Sequence, residues 1–195
     1  RSELGDEVEL LHDVHERLPA PLAMQLAKDL EPYRLFFLED ALPPEELTYF
    51  RRLREASHVP LAMGELFTNV NEYLPLIREQ LIDFIRVHIS DVGGLSMARK
   101  IAALCEFFSV RTAWHGPGDT SPIGHAANLA LDVSISNFGI QEFTVFNQAT
   151  LDVFPGCPEL RDGMLWPNDA PGWGIELDEE LAAKFPYPDH PFNGA

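Results

Sequence analysis

Basic residues are scarce in this chain. Lys and Arg number 14 against 31 Asp and Glu, a formal net charge of −17 over 195 residues. That balance argues against nucleic acid as a partner, because phosphate binding needs clustered Lys and Arg, and equally against an anionic membrane surface. It leaves room for an anionic small molecule, since a divalent cation and a few local bases can dominate a pocket. Cysteine is nearly absent. Cys105 and Cys157 are too few for a disulfide framework, and Cys105 shares an apolar helical face with Ile101, Leu104 and Phe108, so a reduced, cytoplasmic protein is expected. No apolar run approaches the roughly 18 residues of a transmembrane helix, and the charged opening Arg1-Ser2-Glu3 is no secretory leader. Without an initiator Met, and with an amphipathic segment already under way, residue 1 is expected to lie inside a longer protein. No low-complexity segment or internal sequence repeat stands out. With 46% hydrophobic and 10% aromatic residues, the chain can build a substantial core, for one domain or slightly more.

The chain is organised around Leu10-Leu11-His12-Asp13-Val14-His15, an apolar run ending in an acid and a histidine two residues apart. In a strand, positions i and i+2 point the same way, so Asp13 and His15 share one face and His12 and Val14 the other. Leu35-Phe36-Phe37-Leu38-Glu39 ends in an acid 26 residues later, and Pro60-Leu61-Ala62-Met63-Gly64-Glu65 does so after 26 more. That interval is close to the roughly thirty residues of a β-α-β repeat. Three acids at the ends of successive parallel strands converge, and converging carboxylates repel unless a cation sits between them. Hard oxygen ligands suit Mg²⁺, so Asp13, Glu39 and Glu65 are the predicted metal ligands.

The strand-and-helix beat continues. Expected strands are Val8–Leu11, Leu35–Leu38, Val59–Met63, Phe84–Ile89, Val110–Trp114 and Ile135–Ile140. Between them, Leu22, Leu26 and Leu30 mark a helix over 20–31, and Pro43-Pro44-Glu45-Glu46 reads as a helix start followed by a stripe of Leu47, Phe50 and Leu53. Asn69 is a candidate cap for a helix facing inward with Val70, Tyr73, Ile77 and Leu81. Further helices are expected at 95–108 and near 122–132. Six such units predict an α/β fold, a parallel sheet with helices outside. From Phe143 onward proline, glycine and aromatics dominate, predicting a loop-rich segment with a short acidic helix at Asp178–Lys184 and a proline-rich end. The expected division is a partial (β/α) barrel over 1–142 and a C-terminal segment over 143–195 packed on it.

Taken singly, a carboxylate at a strand end is as well explained by a helix cap or a solvated loop. Recurrence changes the reading, because five of the six predicted strands end in Asp, Glu or His at one edge, where parallel barrels carry their chemistry. His15, beside a metal ligand, is placed to move protons. His115 follows a strand and enters Gly116-Pro117-Gly118-Asp119, whose glycines permit close approach of backbone and substrate. Arg86 and His88 share one face and either both enter the pocket or both pack against helices; buried packing would need partners, which favours the pocket. Asp119 and Glu142 serve equally as caps. His12 and His58 have no such context.

These residues resemble the C-terminal barrel of the enolase superfamily, and more closely the mannonate dehydratase family of sugar-acid dehydratases. The matching pieces are His12-Asp13-Val14-His15-Glu16-Arg17, Leu38-Glu39-Asp40, Gly64-Glu65, Gly93-Gly94, His115-Gly116 and Asn137-Phe138-Gly139-Ile140-Gln141-Glu142, with the late Pro171-Gly172-Trp173-Gly174-Ile175. The resemblance implies Mg²⁺ on Asp13, Glu39 and Glu65, proton transfer by His15 and His115, and substrate contacts from Arg86, His88, His115, Asp119, Glu142 and Glu65. It implies dehydration of D-mannonate or D-gluconate to 2-keto-3-deoxy-D-gluconate, by proton abstraction next to the carboxylate and loss of water, in a tetramer or octamer. The family's N-terminal capping domain and first two barrel strands, which supply a Tyr-Arg pair, do not precede Arg1, and Pro117 lies at a variable position of the pocket. Competing readings are a metal-dependent hydrolase, disfavoured because acids dominate and no Lys sits at a strand end, and a weakly active or non-catalytic relative that binds a sugar acid.

Overall fold

The computed structural model describes residues 1–186; the proline-rich end lies outside the described residues. The chain divides into two compact units, one formed by 1–115 and 131–142, the other by 116–130 and the chain from 143 onward. No helix among the described residues is long and apolar enough to cross a membrane.

In the first unit, β1 (Leu11–Asp13), β2 (Phe37–Glu39), β3 (Leu61–Met63), β4 (Phe84–Ile85) and β5 (Arg111–Thr112) form one sheet in chain order, every pair parallel. Helices α1 (Ala20–Leu30), α2 (Leu47–Ala56), α3 (Val70–Arg78) and α4 (Leu95–Phe107) connect them. The strands are shorter than expected, and β1, β2, β3 and β5 begin later, so the acids of β1 and β2 are the last strand residues rather than loop residues. The sixth expected strand, Ile135–Ile140, is reduced to one parallel bridge between Thr112 and Phe138. Gly139 is required there: a Cβ would lie 2.6 Å from the Thr112 carbonyl oxygen and 2.8 Å from the Phe84 ring. The chain thus packs tightly alongside β5 and runs on to Glu142.

Alternation sorts the strand residues onto two faces. Leu38, Leu61, Met63 and Ile85 face the main core with Phe50, Phe67, Leu76, Ile77 and Ile101. Phe37, Ala62, Phe84 and Ala113 form a second, smaller cluster on the other face. Glu39 follows Phe37 by two, Arg86 follows Phe84 by two, and His115 follows Ala113 by two. The chemistry therefore continues the inner face.

Helix α1 buries Ala23 and Ala27 rather than the expected leucine stripe; Leu22 is exposed and Leu26 and Leu30 pack at the margin. Ala23 and Ala27 join the main core, so small residues occupy the centre of the helix's buried face. Helix α2 begins at Leu47, after the two prolines expected to open it, and buries Phe50 and Leu53. Helix α3 buries Tyr73, Leu76 and Ile77, leaving Val70 exposed. Its start is as expected: the Asn69 side chain accepts from the Asn71 N–H while Glu72 accepts from the Asn69 N–H, a capping box.

The second unit holds the first part of α5 (Pro122–Asp132), α6 (Gln148–Val153), the hairpin β6 (Glu159–Arg161) and β7 (Met164–Trp166), and α7 (Glu179–Ala182). Asn147 and Asp178 cap α6 and α7. The hairpin departs from the loop-rich expectation, although Asp162-Gly163, both at positive φ (51° and 75°), is the two-residue turn that right-twisted strands prefer. His125 is buried, edge-on to Phe143 and Phe146 at 5.1 and 5.2 Å.

Within the first unit, Asp132 is 7% exposed and sits beside the fully buried Trp114, whose indole favours its ionised form. Burial outweighs that and pushes the carboxyl from 3.8 up to about 8. A carboxyl whose folded pKa is raised contributes most below its unfolded pKa, and that contribution is lost as pH rises toward the folded value. Asp132→Asn, which stays neutral, should therefore gain thermal stability relative to the unmodified protein as pH rises from 4 to 9. Unfolding followed by circular dichroism in both proteins isolates this group; a pH-independent difference would show that Asp132 is already ionised when folded.

Candidate active site

Strand register builds the site. Asp13 and Glu39 are paired directly across β1 and β2. Glu65 lies two residues past β3, beyond Gly64. At φ 144° Gly64 passes so close to β4 that a Cβ would sit 3.0–3.1 Å from the Val87 and Arg86 backbone. No other residue fits there, and the close approach brings Glu65 beside the end of β4.

Three non-glycine residues at this edge adopt positive φ: His15 (52°), Glu16 (55°) and Asp40 (43°). Each such residue costs roughly 1–2 kcal/mol, so the surroundings must hold it. The Asp40 N–H donates to the Ala62 carbonyl (3.1 Å), and its own carbonyl accepts from the Glu16 N–H (2.9 Å). The His15 N–H donates to Asp13 Oδ1 at 2.7 Å. Asp40 thus ties the turn carrying His15 to the ends of β2 and β3.

The carboxylates fall into two overlapping groups whose ligand atoms lie within 4.8 Å of one another: Glu39, Asp40 and Glu65, and Asp13, His15 and Asp40. Asp40, outside the predicted ligand set, belongs to both. It is 1% exposed, and its Oδ1 makes no hydrogen bond. Arg86, 4% exposed, is the fixed cation of the group. Its Nε donates to Glu39, its Nη2 to Glu142 at 2.9 Å and its Nη1 to the Ala113 carbonyl at 3.2 Å. Arg86 and Glu142 are therefore joined to each other and to Glu39.

Burial is the largest influence on Glu39 and Asp40. It pushes Glu39 up to about 7 against the pull of Arg86, with Asp13 and Glu142 adding repulsion. Burial again, then Glu65 and Glu39, push Asp40 upward. Glu65 goes the other way because His115 donates to it. Partly buried Glu16 is raised by burial and by Glu45. One arginine does not neutralise four neighbouring carboxyls. A hard divalent cation offsets most of the remaining charge, and the all-oxygen group Glu39, Asp40 and Glu65, with a buried, unsatisfied carboxylate oxygen on Asp40, fits Mg²⁺.

Two histidines flank Glu65, one on each oxygen. His15 Nδ1 is 3.7 Å from Oε1 and 3.2 Å from Asp13 Oδ2; His115 Nε2 is 3.2 Å from Oε2 and 4.0 Å from Glu142 Oε2. His88 meets His115 edge-on, centroids 5.4 Å apart. Asp119 is exposed and belongs to the second unit. Gly118, expected to allow a close approach, is not crowded: a Cβ there would meet Thr144 at an ordinary 3.8 Å. His12 and His58 are exposed and stand outside the cluster, as expected. Sequence reasoning missed Asp40 as a member of the cluster; its adjacency to Glu39 was visible, the backbone turn that points both inward was not.

Known proteins resemble this chain over most of its length. A D-galactonate dehydratase family member of Pantoea ananatis, RspA, is 58% identical over 186 residues, 95% of this chain and 45% of its own length. A D-galactonate dehydratase family member of Enterocloster bolteae is 52% identical over 189 residues, 97% of this chain and 47% of that protein. The chain thus spans about half the length of the curated relatives it matches. Among solved structures, an enolase from Pantoea ananatis with bound D-gluconate and Mg superposes with a TM-score of 0.94 at 57% identity, over 96% of this chain and 45% of that one. A mandelate racemase/muconate lactonizing enzyme from Jannaschia sp. gives 0.88 at 28% identity, over 96% and 48%. Residues 1–181 match the family described as enolase C-terminal domain-like. With that match over most of its length, and with a parallel sheet carrying acids at successive strand ends, the chain belongs to the enolase C-terminal domain-like family.

Proposed function

We propose that this chain supplies the acidic half of the active site of a Mg²⁺-dependent sugar-acid dehydratase, a hydro-lyase acting on D-gluconate or D-mannonate to give 2-keto-3-deoxy-D-gluconate. One observation carries the reading: a carboxylate cluster suited to a divalent cation, with a histidine on each side of Glu65. Relatives named as D-galactonate dehydratase family members, and a similar protein holding D-gluconate and Mg, support the substrate class. The reading includes a cytoplasmic homo-oligomer, tetramer or octamer.

Asp13, Glu39 and Glu65, with Asp40 behind them, would hold the cation. When bound, Mg²⁺ supplies Lewis-acid neutralisation of the charge that builds on the substrate carboxylate as the neighbouring proton leaves. The protein's own groups do the rest. Arg86 fixes Glu39 and Glu142, so their oxygens are oriented before substrate arrives, and preorganised charge costs no reorganisation during reaction. Asp13 takes the Nδ1 side of His15, which leaves Nε2 as the end that exchanges a proton with the substrate. Hydroxide is a poor leaving group unless protonated, and His15 is placed for that work. Glu65 holds His115 by Nε2 on the opposite side, the second proton-transfer candidate. His88 completes the proposed substrate contacts of the first unit, and Asp119 stays an expectation of the family resemblance.

The test is turnover by the intact protein. With Mg²⁺ present, D-gluconate or D-mannonate should yield a 2-keto-3-deoxy acid, and chelation should abolish it; no product from these or D-galactonate would overturn the reading. Glu65→Gln removes a charged ligand, so calorimetry should show weaker Mg²⁺ binding. His15→Asn should slow water loss by roughly 10²- to 10⁴-fold, the range of general acid catalysis, while Mg²⁺ affinity barely changes. Near-normal turnover in His15→Asn would move the proton-transfer role to His115.

A further inference from the structure

The two overlapping groups at the strand ends differ in donor chemistry. Glu39, Asp40 and Glu65 offer oxygen alone, whereas Asp13, His15 and Asp40 offer two carboxylate oxygens and an imidazole nitrogen, all within 4.8 Å of one another. The mixed group is open on one side, because the His15 and Asp13 side chains are 52% and 47% exposed. Asp40 closes its other side, buried, with an Oδ1 that makes no hydrogen bond. A buried acceptor left without a partner is destabilising, and a cation in reach of it removes that cost.

The backbone holds these donors in place. The His15 N–H donates to Asp13 Oδ1 and the Glu16 N–H to the Asp40 carbonyl, so the left-handed turn is tied to both acids. His15 Nδ1 then lies 3.2 Å from Asp13 Oδ2. Zn²⁺ binds imidazole nitrogen and carboxylate oxygen at about 2.0–2.2 Å, which at the tetrahedral angle puts the two ligand atoms about 3.4 Å apart. Three protein ligands with one position left for water is the open form of such a site. Glu65 Oε1, 3.7 Å from the same nitrogen, adds negative charge. Mg²⁺ prefers oxygen ligands, whereas imidazole suits Zn²⁺ and its first-row neighbours.

We propose that Asp13, His15 and Asp40 form a second cation site, which takes Zn²⁺ or a similar transition-metal ion through His15 Nδ1. Asp13 belongs to the proposed Mg²⁺ ligands and Asp40 to both groups, so the two ions compete for shared carboxylates. Occupation also stops His15 as an acid. An imidazolium gives its Nε2 proton and is left neutral, with the other proton on Nδ1; a ring holding a metal ion on Nδ1 has only the Nε2 proton, and releasing it would leave an imidazolate. The site is therefore inhibitory. The inhibition rests on the dehydratase reading, whereas the binding does not.

The experiment has two arms on the intact protein. In the first, calorimetry with Zn²⁺ and no substrate should find binding tighter than that of Mg²⁺ and weakened by added Mg²⁺, while ¹H–¹⁵N NMR of ¹⁵N-histidine-labelled protein shows the ion on His15 Nδ1 and a proton on Nε2. His15→Asn, a residue that tolerates the left-handed backbone, should weaken Zn²⁺ binding by about tenfold or more, since even an outer partner of a metal ligand is worth that much, and should barely change Mg²⁺ affinity. His12→Asn, at an exposed histidine outside the cluster, should change neither. Zn²⁺ affinity unchanged in His15→Asn, or Zn²⁺ no tighter than Mg²⁺, overturns the site. Zn²⁺ binding indifferent to saturating Mg²⁺ overturns the sharing of carboxylates. In the second arm, Zn²⁺ should suppress turnover of the best sugar acid by the Mg²⁺-loaded protein over the concentrations at which it binds, and full turnover with Zn²⁺ bound overturns the inhibition. A protein that turns over none of the sugar acids counts against the dehydratase reading and the inhibition together, and calorimetry still decides the site.

Discussion

Carboxylates crowded at one edge of a parallel sheet are the constraint on which the first unit depends. Parallel pairing in chain order brings Asp13 opposite Glu39, and Glu65, past the turn at Gly64, groups with Glu39 and Asp40. Burying such groups without compensation costs several kcal/mol. The protein answers in part with Arg86, which reaches Glu39, Glu142 and a backbone carbonyl at once, and in part with imidazoles on Glu65. The remainder is met by protonation, visible in the upward push on Glu39 and Asp40, or by a bound cation.

The backbone has been shaped for the same end. His15, Glu16 and Asp40 all hold left-handed conformations that side chains disfavour, a pattern that concentrates at functional sites because only the surrounding structure can maintain it. The Asp40 peptide groups do the holding, bonded to Ala62 on one side and Glu16 on the other. Losing the fold of that turn would release His15 from Asp13 and Glu65 together. Packing and chemistry thus share residues: Phe37, Ala62, Phe84 and Ala113 fill the inner face, and Glu39, Gly64, Arg86 and His115 continue it toward the strand ends.

Much of this was legible in the sequence because it is periodic. The interval of 26 residues between Asp13, Glu39 and Glu65 corresponds to one strand, one helix and their loops, and the capping box at Asn69 and Glu72 is a local signal that tertiary contacts do not override. What escaped was set by contact geometry. The leucine stripe of α1 gave way to Ala23 and Ala27, which occupy the buried face while Leu22 is exposed, a choice of face that the leucine spacing alone does not make. Ile135–Ile140 has strand composition but pairs by one bridge, where Gly139 packs against Thr112 and Phe84 too tightly for a side chain. Asp40 enters the cluster only because of a backbone turn at positive φ, which a residue other than glycine does not announce. The Asp162-Gly163 turn, by contrast, is a readable hairpin signal that the surrounding prolines obscure.

The central claim is that the folded protein is a receptor for a divalent cation at this edge. A ligand that binds the folded state and not the unfolded one raises stability with the logarithm of its concentration. The measurement is the unfolding temperature of the intact protein against Mg²⁺ concentration, with ionic strength held constant so that screening does not contribute. The unfolding temperature should climb with Mg²⁺, and Glu39→Gln, which removes a buried carboxylate from the proposed ligand set, should flatten the climb. An unfolding temperature indifferent to Mg²⁺ at constant ionic strength would contradict the account, because the crowded carboxylates would then be satisfied by protons and Arg86 alone.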